Sequence, residues 1–301
     1  MIRLPRIGLG TAPLGGLFEA VSDETAEATF ALAWERGIRF FDTAPLYGLG
    51  LSEQRLGRFL AGKPRDDFVL ASKVGRLLRA DAPPDPHESH WKGGSPFNPV
   101  WDFSYDGVLR SVDESLERLG LDRIDVVHIH DPDDHYEEAL AGAYPALDRL
   151  RGEGAISAVG AGMNQVEMLI ELARAAEFDC FLVAGRYTLL DRPALPELLP
   201  LCVEREIAVI AGGVFNSGIL AGGTTFNYRP APPELLESAA RLEAACARYE
   251  VPLAAAALQF PLRHPAVASI LLGPRSPAQL SQSLDLLDVQ IPVELWAELS
   301  A

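Results

Sequence analysis

The sequence predicts a single α/β domain, residues 1–301, whose eight parallel strands close into a (β/α)8 barrel. Short β-branched or aromatic runs alternate with amphipathic helical stretches along the chain. The runs are apolar on both faces, as expected for a parallel sheet covered by helices, and eight of them fit a closed barrel. The competing open doubly wound sheet needs GxGxxG after its first strand, whereas the glycines here lie at 8, 10, 15 and 16.

The individual elements follow from the same alternation. We expect strands at residues 6–10, 38–42, 69–73, 124–130, 156–161, 180–184, 208–211 and 268–272. We expect helices at residues 23–36, 52–60, 105–119, 135–153, 165–176, 195–206 and 233–249. Ser22 or Asp23 is predicted to cap the first helix, and Asp106 to contribute to the cap of the third.

Composition and charge limit the class of protein. The chain is 48% hydrophobic and 23% charged, as in a globular enzyme, and its net charge of −16 argues against nucleic acid and anionic membranes as partners. The three cysteines lie in apolar stretches without CxxC spacing, which predicts buried free thiols and a cytoplasmic protein. The first residues lack a signal-peptide core. The uncharged stretch 207–228 is rich in glycine and is predicted to be a strand followed by a loop.

Polar residues stand where three consecutive strands end. The second strand ends on Asp42 and its loop carries Tyr47, the third ends on Lys73, and the fourth ends on His130. Each residue alone has an ordinary structural explanation, as a loop cap, a packing ring, a surface lysine or a core histidine. The active sites of barrels lie at the carboxyl ends of the strands, so the four together predict one site.

These residue types suit proton transfer. A tyrosine with an ordinary pKa of about 10 acts as acid or base when a neighbouring ammonium stabilises its phenolate, and a carboxylate keeps that ammonium charged. A nearby histidine can orient a substrate carbonyl or hydroxyl. His128 shares a strand face with His130 and is expected one layer deeper in a structural role. No metal site is predicted.

One long segment, residues 78–104, is expected to be irregular. It follows the third strand and contains five prolines and two tryptophans, Trp91 and Trp101. Structureless segments of this length are usually functional lids or disordered. The aromatic residues favour a loop that faces the substrate.

Four separated motifs resemble the aldo-keto reductase superfamily: Asp42 and Tyr47 in "FDTAPLYG", Lys73 in "ASK", and His130 in "DVVHIHDP". The resemblance implies that Tyr47 exchanges the proton, that Lys73 and Asp42 tune it, and that His130 positions the substrate. It also implies a nicotinamide dinucleotide at the barrel mouth, beside Gly10 and Thr11 of "GLGTAPLGG" and beside Asp42. Substrate contacts are expected from Tyr47, His130, Trp91 and Trp101.

The resemblance extends to the segments that would hold the cofactor. The expected contacts are Gly162, Met163 and Asn164 in "ISAVGAGMN", Gly212, Phe215, Asn216, Ser217 and Gly218 in "AGGVFNSG", and Gly273, Arg275 and Gln279 in "GPRSPAQL". Four positions depart from the family pattern. Gly212 stands where many members have a stacking tyrosine, for which Phe215 would compensate, and Ala184 stands where a glutamine usually contacts the carboxamide. Gly273 and Gln279 stand where basic residues commonly hold a 2′-phosphate, which favours NAD over NADP, with Arg275 as a possible substitute.

Within the family, "GTAPLGGLF", "HIHDPD" and "GRYTLLD" are most similar to sugar 1-dehydrogenases acting on L-fucose, D-threo-aldoses or L-galactose, and to pyridoxal 4-dehydrogenase. This implies oxidation of an anomeric hydroxyl to a lactone, with Tyr47 as base, in a monomer or weak homodimer. The alternatives are an NADPH-dependent aldehyde or ketone reductase with the same four residues, a barrel aldolase forming a Schiff base on Lys73, and a subunit that binds nicotinamide without turnover.

Overall fold

Eight parallel strands form a closed barrel in the computed structural model, which describes residues 2–93 and 95–300. The strands are β1 (Ile7–Gly10), β2 (Phe40–Asp42), β3 (Val69–Val74), β4 (Val126–His130), β5 (Ala158–Met163), β6 (Cys180–Ala184), β7 (Ala208–Gly212) and β8 (Val267–Leu272). Each strand pairs with the next in the chain, and β8 closes against β1. The predicted barrel is therefore confirmed, and each strand lies within two residues of its predicted bounds.

Helices cover the outside of the barrel. They are Asp23–Glu35, Leu51–Leu60, Tyr105–Leu119, Tyr136–Glu138, Tyr144–Gly152, Val166–Ala175, Leu198–Glu204, Pro233–Ala247, Leu253–Gln259, Pro277–Leu287 and Val293–Ser300, with a π-helical turn at Ala139–Ala143. The last three were not predicted. Helix Leu253–Gln259 is alanine-rich with four consecutive buried residues, so it lacks the one-sided pattern that reveals a surface helix.

The helix caps differ in one place from the prediction. Ser22 caps the first helix by accepting a hydrogen bond from the Thr25 amide, as expected. The third helix is capped by Ser104, which accepts from the Gly107 amide at 3.1 Å. The prediction for Asp106 was wrong, because this residue lies inside the first turn, past the capping position.

The core has two layers, separated by the strands. Inside the barrel, Phe40 of β2, Leu182 of β6, Ile210 of β7 and Leu271 of β8 pack together with small residues. The alternate strand residues face outward and pack against the helices, and the larger apolar cluster includes them. The filled interior leaves the carboxyl ends of the strands as the open face for a site.

The segment after β3 is more ordered than predicted. Arg76–Arg79 pairs antiparallel with Asn98–Trp101, so both ends of the supposed loop form a two-stranded ribbon. Between them, Trp91 makes a bridge with Leu17 of the loop after β1. The prediction of a wholly irregular segment was wrong because proline and glycine in the sequence obscured the short pairing runs. The segment lies against the barrel mouth.

Stretch 207–228 contains β7 and then a loop, as predicted. The loop includes a short 3₁₀ segment, Asn216–Ala221, and Thr225–Phe226 pairs with Arg229–Pro230 in a small hairpin. All three cysteines are buried free thiols, as expected. Among the described residues, none of the helices combines the length and apolar character needed to cross a membrane.

Candidate active site

A buried ion pair joins the carboxyl ends of β2 and β3. Lys73 Nζ donates to Asp42 Oδ1 at 2.8 Å, to Asp42 Oδ2 at 2.7 Å, and to the Thr43 carbonyl at 2.9 Å. Both side chains are 2% exposed. Burial raises the pKa of Asp42, and the Lys73 ammonium opposes that rise. The ammonium is therefore held firmly, with three oxygen acceptors around it.

Tyr47 reaches this pair from the loop after β2. Its ring centroid lies 4.8 Å from Lys73 Nζ. The loop comes close to the turn after β1, because a β-carbon on Gly48 would lie 2.2 Å from the Gly15 carbonyl oxygen and Gly48 has a φ of 64°. Glycine is needed for both reasons. This close contact between two loops places the tyrosine over the lysine.

The pKa of Tyr47 departs from the expectation. It is raised well above 10, chiefly by burial at the mouth and then by the carboxylates of Asp42 and Asp131. The Lys73 ammonium, engaged by Asp42 and Thr43, does not bring the pKa of Tyr47 below its ordinary value, and its role in proton transfer stays a prediction. Tyr47 is therefore a neutral phenol at neutral pH.

His130 ends β4 and its ring meets that of Tyr47 edge-on, with 5.8 Å between centroids. Burial, followed by the charges of Arg76 and Lys73, holds the pKa of His130 well below 6.5, so its imidazole is neutral. The two rings and the ammonium thus meet at one point of the mouth.

His128 lies deeper in the barrel, opposite Lys73 on β3 and Gly160 on β5. It is fully buried, and burial lowers its pKa to about 3. A β-carbon on Gly160 would lie 2.2 Å from His128 Nδ1, so only glycine leaves room for this ring. The position one layer below His130 is the one expected from the strand pattern.

Three buried hydroxyls support the Asp42 end of the site, and sequence reasoning missed two of them. Thr11 Oγ1 donates to the Asp42 carbonyl at 2.9 Å, and Ser52 Oγ donates to Thr11 Oγ1 at 2.6 Å. Thr43 Oγ1 and Ser52 Oγ lie 3.0 Å apart. The Thr11 hydroxyl is engaged in this network, and the predicted contact of Thr11 with the cofactor stays a prediction. No sequence signal distinguishes Ser52 from an ordinary helix residue.

The two predicted tryptophans occupy different surroundings. The Trp91 ring lies 5.7 Å from that of Tyr47, directly at the site. Trp101 is 39% exposed, and the Arg76 guanidinium stacks on it at 3.9 Å. Arg76 in turn donates from Nη1 to the His130 carbonyl at 2.9 Å. Trp101 therefore lies one side chain away from His130, and its contact with substrate stays a prediction.

Comparisons with known proteins agree with this geometry. The family model described as "Aldo/keto reductase family" matches residues 6–301. The chain belongs to the aldo/keto reductase family.

Two curated relatives of this aldo/keto reductase are each 45% identical to it. D-threo-aldose 1-dehydrogenase from Pseudomonas sp aligns over 309 residues, covering 99% of this chain and 94% of the relative. Pyridoxal 4-dehydrogenase from Microbacterium luteolum aligns over 316 residues, covering 97% and 92%. The solved structure of an aldo-keto reductase from Bacillus halodurans, in its holo form, is 26% identical with a TM-score of 0.78, covering 98% of this chain and 91% of that one. The predicted family, and its dehydrogenase group, are confirmed.

The cofactor segments predicted from the family pattern lie together at the carboxyl ends of β5, β7 and β8. Gly162 pairs with His130 and Leu182, so its backbone is central to the mouth. Met163 belongs to the outer apolar layer, so only its main chain remains for the predicted contact. Asn164 is exposed, and its carbonyl accepts from Arg186 Nε at 3.0 Å.

After β7, glycine residues leave parts of the main chain without side chains to cover them. Gly212 ends the strand, and its nearest neighbour for an added β-carbon is the Leu182 side chain at 3.4 Å. Ser217 and Gly218 have positive φ values of 60° and 108° and leave the loop backbone open, while Phe215 is half-buried against the core. The side-chain amide of Asn216 accepts from Thr188 Oγ1 and donates to the Gly185 carbonyl, so it holds two loops together. The predicted cofactor contact through the Asn216 backbone stays a prediction.

After β8, Gly273 is exposed, whereas Arg275 and Gln279 contact each other. The Arg275 amide donates to Gln279 Oε1 at 2.8 Å. Arg275 Nη2 donates to the Leu17 carbonyl at 3.3 Å, and its Nε is buried without a hydrogen-bond partner among the described residues. The guanidinium therefore contacts the loop after β1. Gly10 pairs with Asp42 at the end of β1.

The residues present fit a nicotinamide dinucleotide, a class of cofactor that the family uses. Glycines at the ends of β5, β7 and β8 leave parts of the main chain uncovered beside Tyr47, Lys73 and His130. The turn at Ser217 and Gly218 has positive φ values, as turns that bind phosphate often have, although the Gly218 amide itself donates to the Phe215 carbonyl at 3.0 Å. An unpartnered buried Arg275 Nε lies at the same end.

Proposed function

We propose that this aldo/keto reductase oxidises the anomeric hydroxyl of an aldose, of the L-fucose, D-threo-aldose or L-galactose type, to the lactone. The observation that carries the proposal is the meeting of Tyr47 and His130 beside the Lys73–Asp42 pair. The 45% identity to a D-threo-aldose 1-dehydrogenase supports the substrate class.

Each residue has a role in moving the proton. A neutral imidazole on His130 orients the substrate hydroxyl without adding charge. Tyr47 receives the hydroxyl proton, after its own phenolic proton has been lost. Lys73, fixed by Asp42, places a positive charge beside the ring and stabilises the phenolate as it forms. The nicotinamide, when bound, supplies the hydride acceptor.

We propose NAD as the favoured cofactor. A 2′-phosphate is best held by paired charge-assisted hydrogen bonds. Gly273 and Gln279 supply no charge, and the Arg275 guanidinium already contacts the Leu17 carbonyl. The contacts proposed for the cofactor are the main chain of Gly10, Gly162, Met163 and Asn164, the Phe215–Gly218 loop, and Gly273 with Arg275.

Two alternatives keep the same site. Pyridoxal 4-dehydrogenase activity is supported by an identity equal to that of the aldose relative. An NADPH-dependent aldehyde or ketone reductase would use Tyr47 as the acid, which its raised pKa favours. The Schiff-base aldolase loses support, since a nucleophilic lysine must be a free amine and Lys73 donates to three oxygens.

The deciding experiment measures initial rates with NAD and NADP on a panel of aldoses and on pyridoxal. We expect oxidation of at least one aldose, faster with NAD. Tyr47→Phe should lower kcat by about 10²–10⁴-fold while leaving the dissociation constant for NAD unchanged, as followed by protein fluorescence. Strong NADPH-dependent aldehyde reduction without oxidation of any sugar would contradict the proposed direction, and a near-full rate in Tyr47→Phe would contradict the proposed mechanism and exclude a protein that only binds the cofactor.

A further inference from the structure

Asp131 is a carboxylate that follows His130 directly and has no assigned role. Its amide donates to the Gly162 carbonyl at 3.0 Å, which fixes the residue across the mouth from β5. Its φ is 40°, in the left-handed region, which aspartate enters more readily than most other non-glycine residues.

The side chain of Asp131 lies close to His130 and Arg76 but is hydrogen-bonded to neither. Its Oδ2 lies 3.4 Å from His130 Nε2 and 3.7 Å from Arg76 Nη2. Within the described parts of the chain, the carboxylate accepts no hydrogen bond, because Arg76 donates to the His130 carbonyl instead. The side chain is 36% exposed. The carboxylate oxygens are therefore open to water, and to a bound substrate, beside the imidazole of His130.

The Arg76 guanidinium lies against one side of this carboxylate. Arg76 is 5% exposed and lies between the stacked Trp101 ring and Asp131. The charge of Asp131 also raises the pKa of Tyr47 and of Tyr228, so its field reaches across the mouth to both phenols. Asp131 therefore shares the space into which a substrate bound to Tyr47 and His130 must extend.

We propose that Asp131 is a substrate-binding residue that accepts a hydrogen bond from the hydroxyl on the carbon next to the reacting carbon, and thereby selects hydroxylated substrates. The proposal rests on the proposed function for its substrate class. A hydroxyl bonded to a charged acceptor contributes more than a neutral pair. A site built to bond a substrate hydroxyl rejects the analogue that lacks it, because the bound analogue covers the carboxylate without replacing the water contacts it displaces.

The test compares Asp131→Asn and Asp131→Ala with wild type on two lactols, with NAD and with NADP. One lactol is the best aldose of the panel, and the other is 2-hydroxytetrahydropyran, which has the anomeric hydroxyl and no other. We expect kcat/KM for the aldose to fall by about 10–100-fold, and for 2-hydroxytetrahydropyran by less than about 3-fold. The control is Asp134→Asn, which removes one exposed negative charge from the same loop and should change neither value.

Two outcomes would overturn the proposal. Equal losses on both lactols would show that Asp131 acts through His130, and no loss on either would show that it does not touch the substrate.

Measurements in the reductive direction separate this proposal from the proposed function. If the enzyme proves to be a reductase, Asp131→Asn should impair glyceraldehyde, which has the adjacent hydroxyl, and spare propanal, which lacks it. Equal effects on those two aldehydes would overturn the proposal for the reductase.

Discussion

Replacing Lys73 with methionine would leave the Asp42 carboxylate buried without its counter-charge. Two unit charges 2.7 Å apart at an effective dielectric of about 20 attract each other by about 6 kcal/mol. Much of this attraction offsets the several kcal/mol needed to dehydrate each ion. Removing one partner leaves the dehydration cost of the other uncompensated. We therefore expect Lys73→Met to lower the free energy of unfolding at pH 7 by about 3–5 kcal/mol.

Thermal unfolding measures this loss. With about 2.1 cal/mol/K of unfolding entropy per residue over 301 residues, 1 kcal/mol corresponds to about 1.6 °C, so Tm should fall by about 5–8 °C. The deficit should depend on pH. The unpaired Asp42 has a higher pKa in the folded state than in the unfolded chain, so the folded state binds the extra proton as pH falls. The deficit should consequently be smaller at about pH 5 than at about pH 8.

The double variant Asp42→Asn/Lys73→Met supplies the control, because it removes both charges and leaves neither one buried alone. We expect it to be more stable than the sum of the single losses by at least about 2 kcal/mol. Additive losses, or a Lys73→Met deficit that is the same at both pH values, would refute the reasoning that a buried unpaired carboxylate causes the instability. The activity of Lys73→Met, of Asp42→Asn and of the double variant should be low, since each disturbs the charge beside Tyr47.

Two further predictions concern packing and pH. Gly160→Ala places a β-carbon 2.2 Å from His128 Nδ1 and should lower the free energy of unfolding in urea by about 1–3 kcal/mol. In the matched Gly62→Ala no atom lies within 4 Å, so a change above about 1 kcal/mol there would cast doubt on the steric explanation. Since the pKa of Tyr47 is raised and a base must lose its proton, kcat/KM for oxidation should increase from about pH 7 to about pH 10, and a flat profile would argue against Tyr47 as base.

The strands and the residues at their ends could be predicted because those signals are local. An apolar run of a few residues that stops on Asp42 or His130 reports both burial and the point at which the strand leaves the barrel wall. The alternation of such runs with amphipathic helices then limits the architecture to a barrel. Helix Leu253–Gln259 escaped prediction because it is buried on more than one face and shows no helical period.

The side-chain hydrogen bonds of Thr11 and Asn216 could not be predicted, because their partners lie far away in the chain. Thr11 is bonded to Ser52 and to the main chain of Asp42, and Asn216 to Thr188 and Gly185. A threonine or asparagine in a cofactor-like motif looks the same in sequence whether its polar atoms are free or already satisfied. Only the folded structure shows which atoms remain free.

The sequence by itself determined the barrel and which residue types meet at its mouth, since chain periodicity and strand ends are properties of neighbouring residues. Tertiary structure alone decided how those residues are charged and what lies beside them. The pKa of Tyr47 is set by burial and by carboxylates from two different strand ends. Asp131 is placed by Arg76, from the segment after β3, and by the Gly162 carbonyl across the mouth. Desolvation and charge pairing depend on every group within a few ångströms of the side chain, and the order of residues in the chain does not show which groups those are.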